Sequence, residues 1–304
     1  MNRATHLFFM GKGGVGKSTS AALFSTSLAQ KGYHVLLVSL DPAHNQSDIF
    51  ERALSDEPVE VAPRLRVGEI DEDSWIRAYL KDVRRQINRT YSYLTAFNLD
   101  KYFSVIKHSP GLEEYALILA YEHLRNKYSG WDYLVFDMPP TALSLKFFAL
   151  PSLSLVWVNH LLALRREIIE KRELITKIKL LKKEFERDKV LNKIQEQREQ
   201  YEVLREAFTN PEKTQVYLVL NPDKLSHAES LRIFHSLKEL DIRLYRTIYN
   251  KRPVNETCAD IDPVFADIPS LNFPLSDTPL IGVQQLQRYL QANDGEVQSR
   301  LNVC

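Results

Sequence analysis

Cysteine is nearly missing from this chain: Cys258 and Cys304 are the only two in 304 residues, and they stand far apart. There is no CxxC, so zinc held by that motif is excluded, and a disulfide scaffold has no framework. Charge of one sign is missing too. Lys+Arg 40 against Asp+Glu 39 leaves a formal charge of +1, so no basic field points to nucleic acid as a partner. The N-terminus lacks the basic-then-apolar pattern of a signal peptide. The sequons at Asn45, Asn88 and Asn255 therefore carry no weight, and a cytoplasmic chain is expected. Long uncharged runs are scarce. The one to weigh is Phe147 to Leu164, "FFALPSLSLVWVNHLLAL", which reaches the lower length limit for a membrane span. Pro151 and the Asn159–His160 pair interrupt it, while Lys146 and Arg165–Arg166 close it off. A buried or partner-facing segment is the expectation.

Hydrophobic residues at 44% and charged residues at 26% can bury a sizeable core. Short apolar runs that suit buried strands are "THLFFM", "HVLLVSL", "LRVGEI", "DYLVFD", "QVYLVL" and "LYRTIY". Helix-like segments separate most of them, which predicts an α/β, doubly wound, mostly parallel sheet covered on both faces. Residues 71–129 read as predominantly helical. Between Pro151 and Pro211 there is neither glycine nor proline. There Leu164, Ile168, Ile175, Ile178, Leu181 and Phe185 share one helical face, and Val190, Ile194, Tyr201, Leu204 and Phe208 form a second stripe. The expected organisation is a sheet domain, residues 1–150 and 210–304, interrupted by a helical insert at 151–209.

The chemistry concentrates in "FFMGKGGVGKSTSAA". Gly11, Gly16, Lys17 and Ser18 satisfy G-x-x-x-x-G-K-[ST] between a predicted strand and a predicted helix, the signature of a P-loop NTPase. Glycines at 11, 13, 14 and 16 let the backbone curl so that successive N–H groups from Lys12, Gly13, Gly14 and Val15 to Thr19 face phosphate oxygens. The helix that follows offers its positive end to the same anion. Lys17 reaches the β- and γ-phosphates and the Ser18 hydroxyl ligates Mg²⁺. Asp41, at a strand's end in "SLDPAHNQSD", is placed to orient or deprotonate the attacking water, or else caps a helix.

Lys12 is surplus to the loop's own needs. The run "GKGGVGK" resembles the deviant phosphate loop of the MinD, ParA, nitrogenase-iron-protein and ArsA group, in which the extra lysine reaches across a homodimer. The resemblance implies that Lys12 stabilises charge on the partner subunit's phosphates; a solvated loop lysine is the plain alternative. DPAH at 41–44 is similar to the ArsA branch, which includes arsenical pump ATPases and the ATPase that targets tail-anchored membrane proteins. "SPGLEE", "YLVFDMPPT", "NPEKTQVYLVLNPDKLSHAES", "IYNK" and "FPLSDTPLIGVQQLQRYL" resemble its other motifs. By that likeness the nucleotide is ATP, and Asp137 senses Mg²⁺ through water, as Asp41 does. Pro139, Pro140 and Thr141 form a second switch. Asn250 contacts adenine, unless it is only a turn former, and His44 contacts phosphate or braces its switch. Glu113 and Glu114 read as helix N-terminal charges.

The chain also departs from that branch. Its two cysteines cannot supply the thiolate cluster that arsenite takes. Its three methionines, Met1, Met10 and Met138, lie outside the insert. Ala142–Leu143 stands where the branch has Gly-His. The insert nevertheless opens with the apolar segment, and Leu153, Leu155, Val156, Trp157, Leu161 and Leu162 are candidates to line a groove for a membrane-protein client. The alternatives are an energising subunit of an arsenite-type pump, or a positioning factor of the MinD or ParA kind. The C-terminal "RYLQANDGEVQSRLNVC" has little apolar moment and mixed charge, which counts against the last.

Overall fold

The computed structural model describes residues 4–43, 45–90, 109, 111–176, 188–252 and 263–293. His44, Cys258 and Cys304 lie outside them, as do Ile178, Leu181, Phe185 and the side chain of Ile175. Apolar residues alternate sides along each central strand, so both faces of the sheet must be covered. Among the described residues the strands are β1 (Thr5–Met10), β2 (Val35–Ser39), β3 (Val59–Ala62), β4 (Leu65–Glu69), β5 (Tyr133–Asp137), β6 (Thr214–Leu220), β7 (Leu244–Arg252) and β8 (Ser270–Pro274). They form one sheet in the order β3-β4-β2-β5-β1-β6-β7-β8. Every neighbouring pair is parallel except β3 against β4. The α/β, mostly parallel architecture is thus the one the apolar runs predict. The two short edge strands, β3 and β8, are additional to the six runs read from sequence.

Period-two alternation divides the core. Phe8, Met10, Leu36, Val38, Leu134, Phe136, Val216 and Leu218 belong to one buried cluster. Their neighbours Leu7, Phe9, Val35, Leu37, Val135, Tyr217 and Val219 belong to the other. Helix α1 (Lys17–Gln30) covers the second face together with α8 (Val283–Ala292). Squeezed between sheet and α8, α1 is built of Ala and Ser around Leu23, Phe24 and Leu28. The first face carries α4 (Leu112–Lys127), the start of α5 (Thr141–Thr176), the end of α6 (Lys189–Thr209) and α7 (Lys224–Glu239). Phe8 sits inside its aromatic cluster, with ring centroids of Phe136, Phe148 and Phe208 at 4.9, 5.1 and 6.0 Å. Such ring pairs add about 0.5–1.5 kcal/mol each beyond area burial. Helices α2 (Asn45–Phe50) and α3 (Glu72–Thr90) complete the set.

The helical arms α5 and α6 pack side by side. Val158, Leu162, Ile169 and Leu191 form their common core, with Ile194 and Tyr201 against it. The Arg165 guanidinium donates to Asp188 at 2.8 Å, and the same carboxylate caps α6 by accepting from the amides of Val190 and Leu191 at 3.0 and 2.9 Å. Burial pushes the Asp188 carboxyl up, but those amides and Arg165 together hold it below its ordinary range.

One reading of this region needs correction. Leu155 and Leu162 do not line a groove, because they are buried, Leu162 in the core between the arms. Leu164 and Ile168 face outward, 53% and 46% exposed, on the same side as Leu153, Val156 and Trp157 at 67%, 60% and 66%. Leu161 is partly buried at the edge of that stripe. Helix α5 is apolar on more than one side, so periodicity marked a face without saying which one α6 covers.

Candidate functional site

The connections after β1, β2 and β5 converge at the carboxyl ends of their strands, where open α/β sheets bind ligands. The turn after β1 carries the glycines. Gly11 (φ 154°) leaves no room for a side chain, since a Cβ there would drive into the Val219 carbonyl of β6. Gly16 caps α1 in the left-handed region (φ 94°), and a Cβ there would collide with the Asn250 amide. The loop is thereby packed closely against Val219 of β6 and Asn250 of β7. Gly13 and Gly14 are exposed at its crest. Lys17 is buried, Ser18 and Thr19 are partly buried in the first turn of α1, and Val15 packs into the core. Lys12 is partly buried at the rim, and its ammonium forms no hydrogen bond or ion pair among the described residues.

Register aligns the acidic strand ends. Ser39 of β2 lies opposite Asp137 of β5, and Phe9 of β1 lies on the other side of Asp137. Asp41 is buried two residues beyond β2; its backbone N–H donates to Ser39 Oγ at 3.2 Å and its Oδ1 accepts from the Ala43 amide at 3.1 Å. Gln46 is a component that the sequence reading did not single out. It is fully buried, and its Nε2 donates both to the Ser18 carbonyl at 3.1 Å and to Asp137 Oδ2 at 3.0 Å. One side chain thus ties the segment after β2 to the phosphate loop and to β5. Glu69 of β4 anchors the same segment, accepting from Ser47 N at 2.8 Å.

Asp137 Oδ1 is buried with no partner among the described residues. Burial pushes the Asp137 carboxyl up to about 6; Gln46, Ser18 and Lys17 pull against that and Asp41 adds to it. An unsatisfied buried carboxylate oxygen beside a serine hydroxyl suits a hard, oxygen-seeking divalent cation. No group of three or more His, Cys, Asp or Glu side chains converges among the described residues, so such an ion would complete its shell with phosphate and water.

The exit from β5 runs Asp137-Met138-Pro139-Pro140 into α5 at Thr141. Buried Ser144 donates to the Pro139 carbonyl at 2.6 Å, fixing that bend. Leu143 packs against the core, which anchors the first turn where the resemblance would place Gly-His. Glu113 and Glu114 occupy the first turn of α4, as helix-end charges should. Glu114 also accepts from Lys146 of α5 at 2.8 Å; burial raises its pKa, but the lysine pulls it below the ordinary value. Helix α4 is thereby bound to the helix that leaves β5.

Glu72, at the start of α3, escaped the sequence reading. Burial, then the charges of Glu113, Asp41, Glu114 and Asp73, push its carboxyl from 4.5 up to about 7. Between those values the folded chain holds the proton that the unfolded chain has released. Stability therefore falls as pH rises through about 4.5 to 7 and levels off above. Glu72→Gln removes that fall. It should stabilise the chain at pH 8 by about 1–2 kcal/mol, a figure discounted for the half of the side chain that water screens. Urea unfolding of both proteins at pH 5 and pH 8 measures it; equal slopes would contradict this account.

Comparison with known proteins shows the family. The profile of the anion-transporting ATPase (ArsA) family matches residues 4–292. The chain is 28% identical over 298 residues to putative arsenical pump-driving ATPase 2 of Aquifex aeolicus (strain VF5), covering 93% of this chain and 96% of that protein. It is 30% identical over 263 residues to the ATPase ASNA1 homolog of Plasmodium berghei (strain Anka), with 84% of this chain and 65% of that protein aligned. Against ATPase GET3C of Arabidopsis thaliana it is 26% identical over 267 residues, 83% and 68% of the two chains. A phosphate loop packed against the ends of β6 and β7, acidic strand ends beside it and a family match over residues 4–292 lead to one conclusion: this chain is an ATPase of the anion-transporting ATPase (ArsA) family.

Proposed function

We propose that the chain is a cytosolic, homodimeric, Mg²⁺-dependent ATPase whose hydrolysis cycle gates the binding of an apolar helical client. The observation that carries this is the continuity of α5. Its first residue, Thr141, leaves the bend that follows Asp137, and the same helix presents Leu153, Val156 and Trp157 to solvent. At 1.5 Å per residue, Trp157 lies about 24 Å from Thr141 along the same helix, which continues through Pro151. A shift of the bend on loss of the γ-phosphate is therefore delivered to the apolar face, a two-state element of the switch type.

In the ATP-bound dimer the amides from Gly13 to Thr19 and the buried Lys17 hold the phosphates. Ser18 would hold Mg²⁺ directly and Asp41 and Asp137 would hold it through water; the ion would supply positive charge to offset that of the phosphates. Asp41 orients the attacking water. Lys12 of each subunit neutralises charge on the partner's triphosphate. Asn250 accepts from the adenine amino group through its Oδ1, because its Nδ2 is given to the Val15 carbonyl.

The stretch Thr141–Lys171 of α5 is long and apolar enough to cross a membrane by length and composition, and one third of its most apolar part is buried. Phe147 and Phe148 at its start are committed to the domain core, which favours a docking face over a span. Double substitution of Val156 and Trp157 by Asp should abolish binding of a labelled 20-residue apolar helical peptide. The ATP turnover and melting temperature should be those of the unsubstituted protein. Retained peptide binding would overturn the client reading, and so would loss of folding, which would make these residues core.

A further inference from the structure

The phosphate loop has a support on β7 that its sequence motif does not contain. Asn250 Nδ2 donates to the Val15 carbonyl at 2.8 Å, and Lys251 Nζ lies 3.4 Å from the Gly14 carbonyl. Lys251 is one of four described non-glycine residues at positive φ, here 56°. The β7–β8 ladder shifts register between Asn250 and Arg252, around this residue. A bulge re-aims a side chain, and a left-handed lysine costs backbone energy, so the chain spends stability to turn the residue toward the loop. The two contacts grip successive carbonyl oxygens, those of Gly14 and Val15, from the same side.

That grip has a definite consequence. In a trans peptide the carbonyl and the N–H that follows point opposite ways, and no cis peptide is present among the described residues. Holding the Gly14 and Val15 oxygens on the β7 side turns the N–H groups of Val15 and Gly16 into the loop. Val15 N–H already points across the loop, to the Lys12 carbonyl at 3.4 Å. A phosphate oxygen brought into the loop would take the place of that carbonyl. Without the grip, exposed Gly13 and Gly14 would leave the crest free to rotate.

We infer that Asn250 and Lys251 form a clamp that pre-organises the phosphate loop, with Lys251 a positioning residue for the nucleotide phosphates, not a contact of the base or of the reacting atoms. The exposed ammonium also adds a positive charge beside the anion. Because the effect is made before the γ-phosphate reacts, it belongs to binding and not to the chemical step.

Lys251→Gly is the discriminating variant, since glycine accepts φ 56° and removes only the side chain. The expected result is an affinity for ATP and for ADP each weakened by about 3- to 10-fold, the scale of a long, exposed hydrogen bond from a charged donor. The KM should rise by the same factor and kcat should fall far less. Adenosine affinity should be unchanged, and the melting temperature equal or higher. Lys251→Arg should restore most of the affinity, and Lys251→Met, which keeps the stem but not the ammonium, should match Lys251→Gly. Nucleotide affinities within about twofold of the unsubstituted protein in both Gly and Met variants would overturn the clamp. Equal weakening for adenosine would do so as well, by making Lys251 a base or ribose contact. A loss confined to kcat would also sink it.

Discussion

Replacing Lys12 by alanine is expected to lower ATP turnover by about a thousandfold or more, the effect of removing a finger residue that neutralises transition-state charge. The affinity for ATP should stay within about threefold, because Lys17 and the loop amides still hold the phosphates. The expected separation follows from where the two lysines sit. Lys17 is buried at the start of α1, whereas Lys12 sits at the rim with its ammonium unengaged among the described residues. A charge parked at the edge of its own loop is available to a neighbour. Steady-state turnover and equilibrium binding of a fluorescent ATP analogue measure the two quantities. A raised KM with unchanged kcat would make Lys12 an ordinary ground-state contact of its own subunit.

Asp41→Asn is expected to lower the rate of hydrolysis by about 10²- to 10⁴-fold, the range for loss of a positioned acid–base group. Asparagine keeps the oxygen that accepts from the Ala43 amide and the backbone N–H that donates to Ser39 Oγ, so the loop should keep its shape. Single-turnover hydrolysis with bound ATP isolates the step. The loss should appear there in full, with ATP binding retained. A full single-turnover rate would return Asp41 to the role of a local turn residue.

Most of the architecture was legible because its signals were strong and local. The central strands are continuous apolar runs, and the glycines of the loop are demanded by Val219 on one side and Asn250 on the other. The edges were not. Strand β3, "VEVA", is short and half exposed, and β8, "SLNFP", ends in proline and buries only Leu271 and Phe273, so each alternates over too few residues to stand out. In α5 the periodicity was real but ambiguous, because only contact with α6 decides that Leu162 is buried and Leu164 is not.

The site divides in the same way. The glycines, Lys17 and the two aspartates obey fixed spacing or close apolar runs. Gln46, Glu72 and Lys251 obey neither, since a polar residue near a loop acquires its role only when the chain brings Ser18, Asp41 or Gly14 to it. Asn250 is the instructive intermediate. Likeness placed it at the nucleotide, and the fold puts half of its amide on the phosphate loop itself.

The central claim is that two copies of this chain share catalytic charge, and mixing the two inactive variants tests it most directly. Subunits carrying Lys12→Ala supply Asp41, and subunits carrying Asp41→Asn supply Lys12. Each mixed dimer then holds one complete site. Random exchange makes half of the dimers mixed, so an equimolar mixture should recover about a quarter of the unsubstituted turnover. Turnover no higher than the average of the two separate variants, under conditions where subunits exchange, would contradict a lysine acting across the dimer.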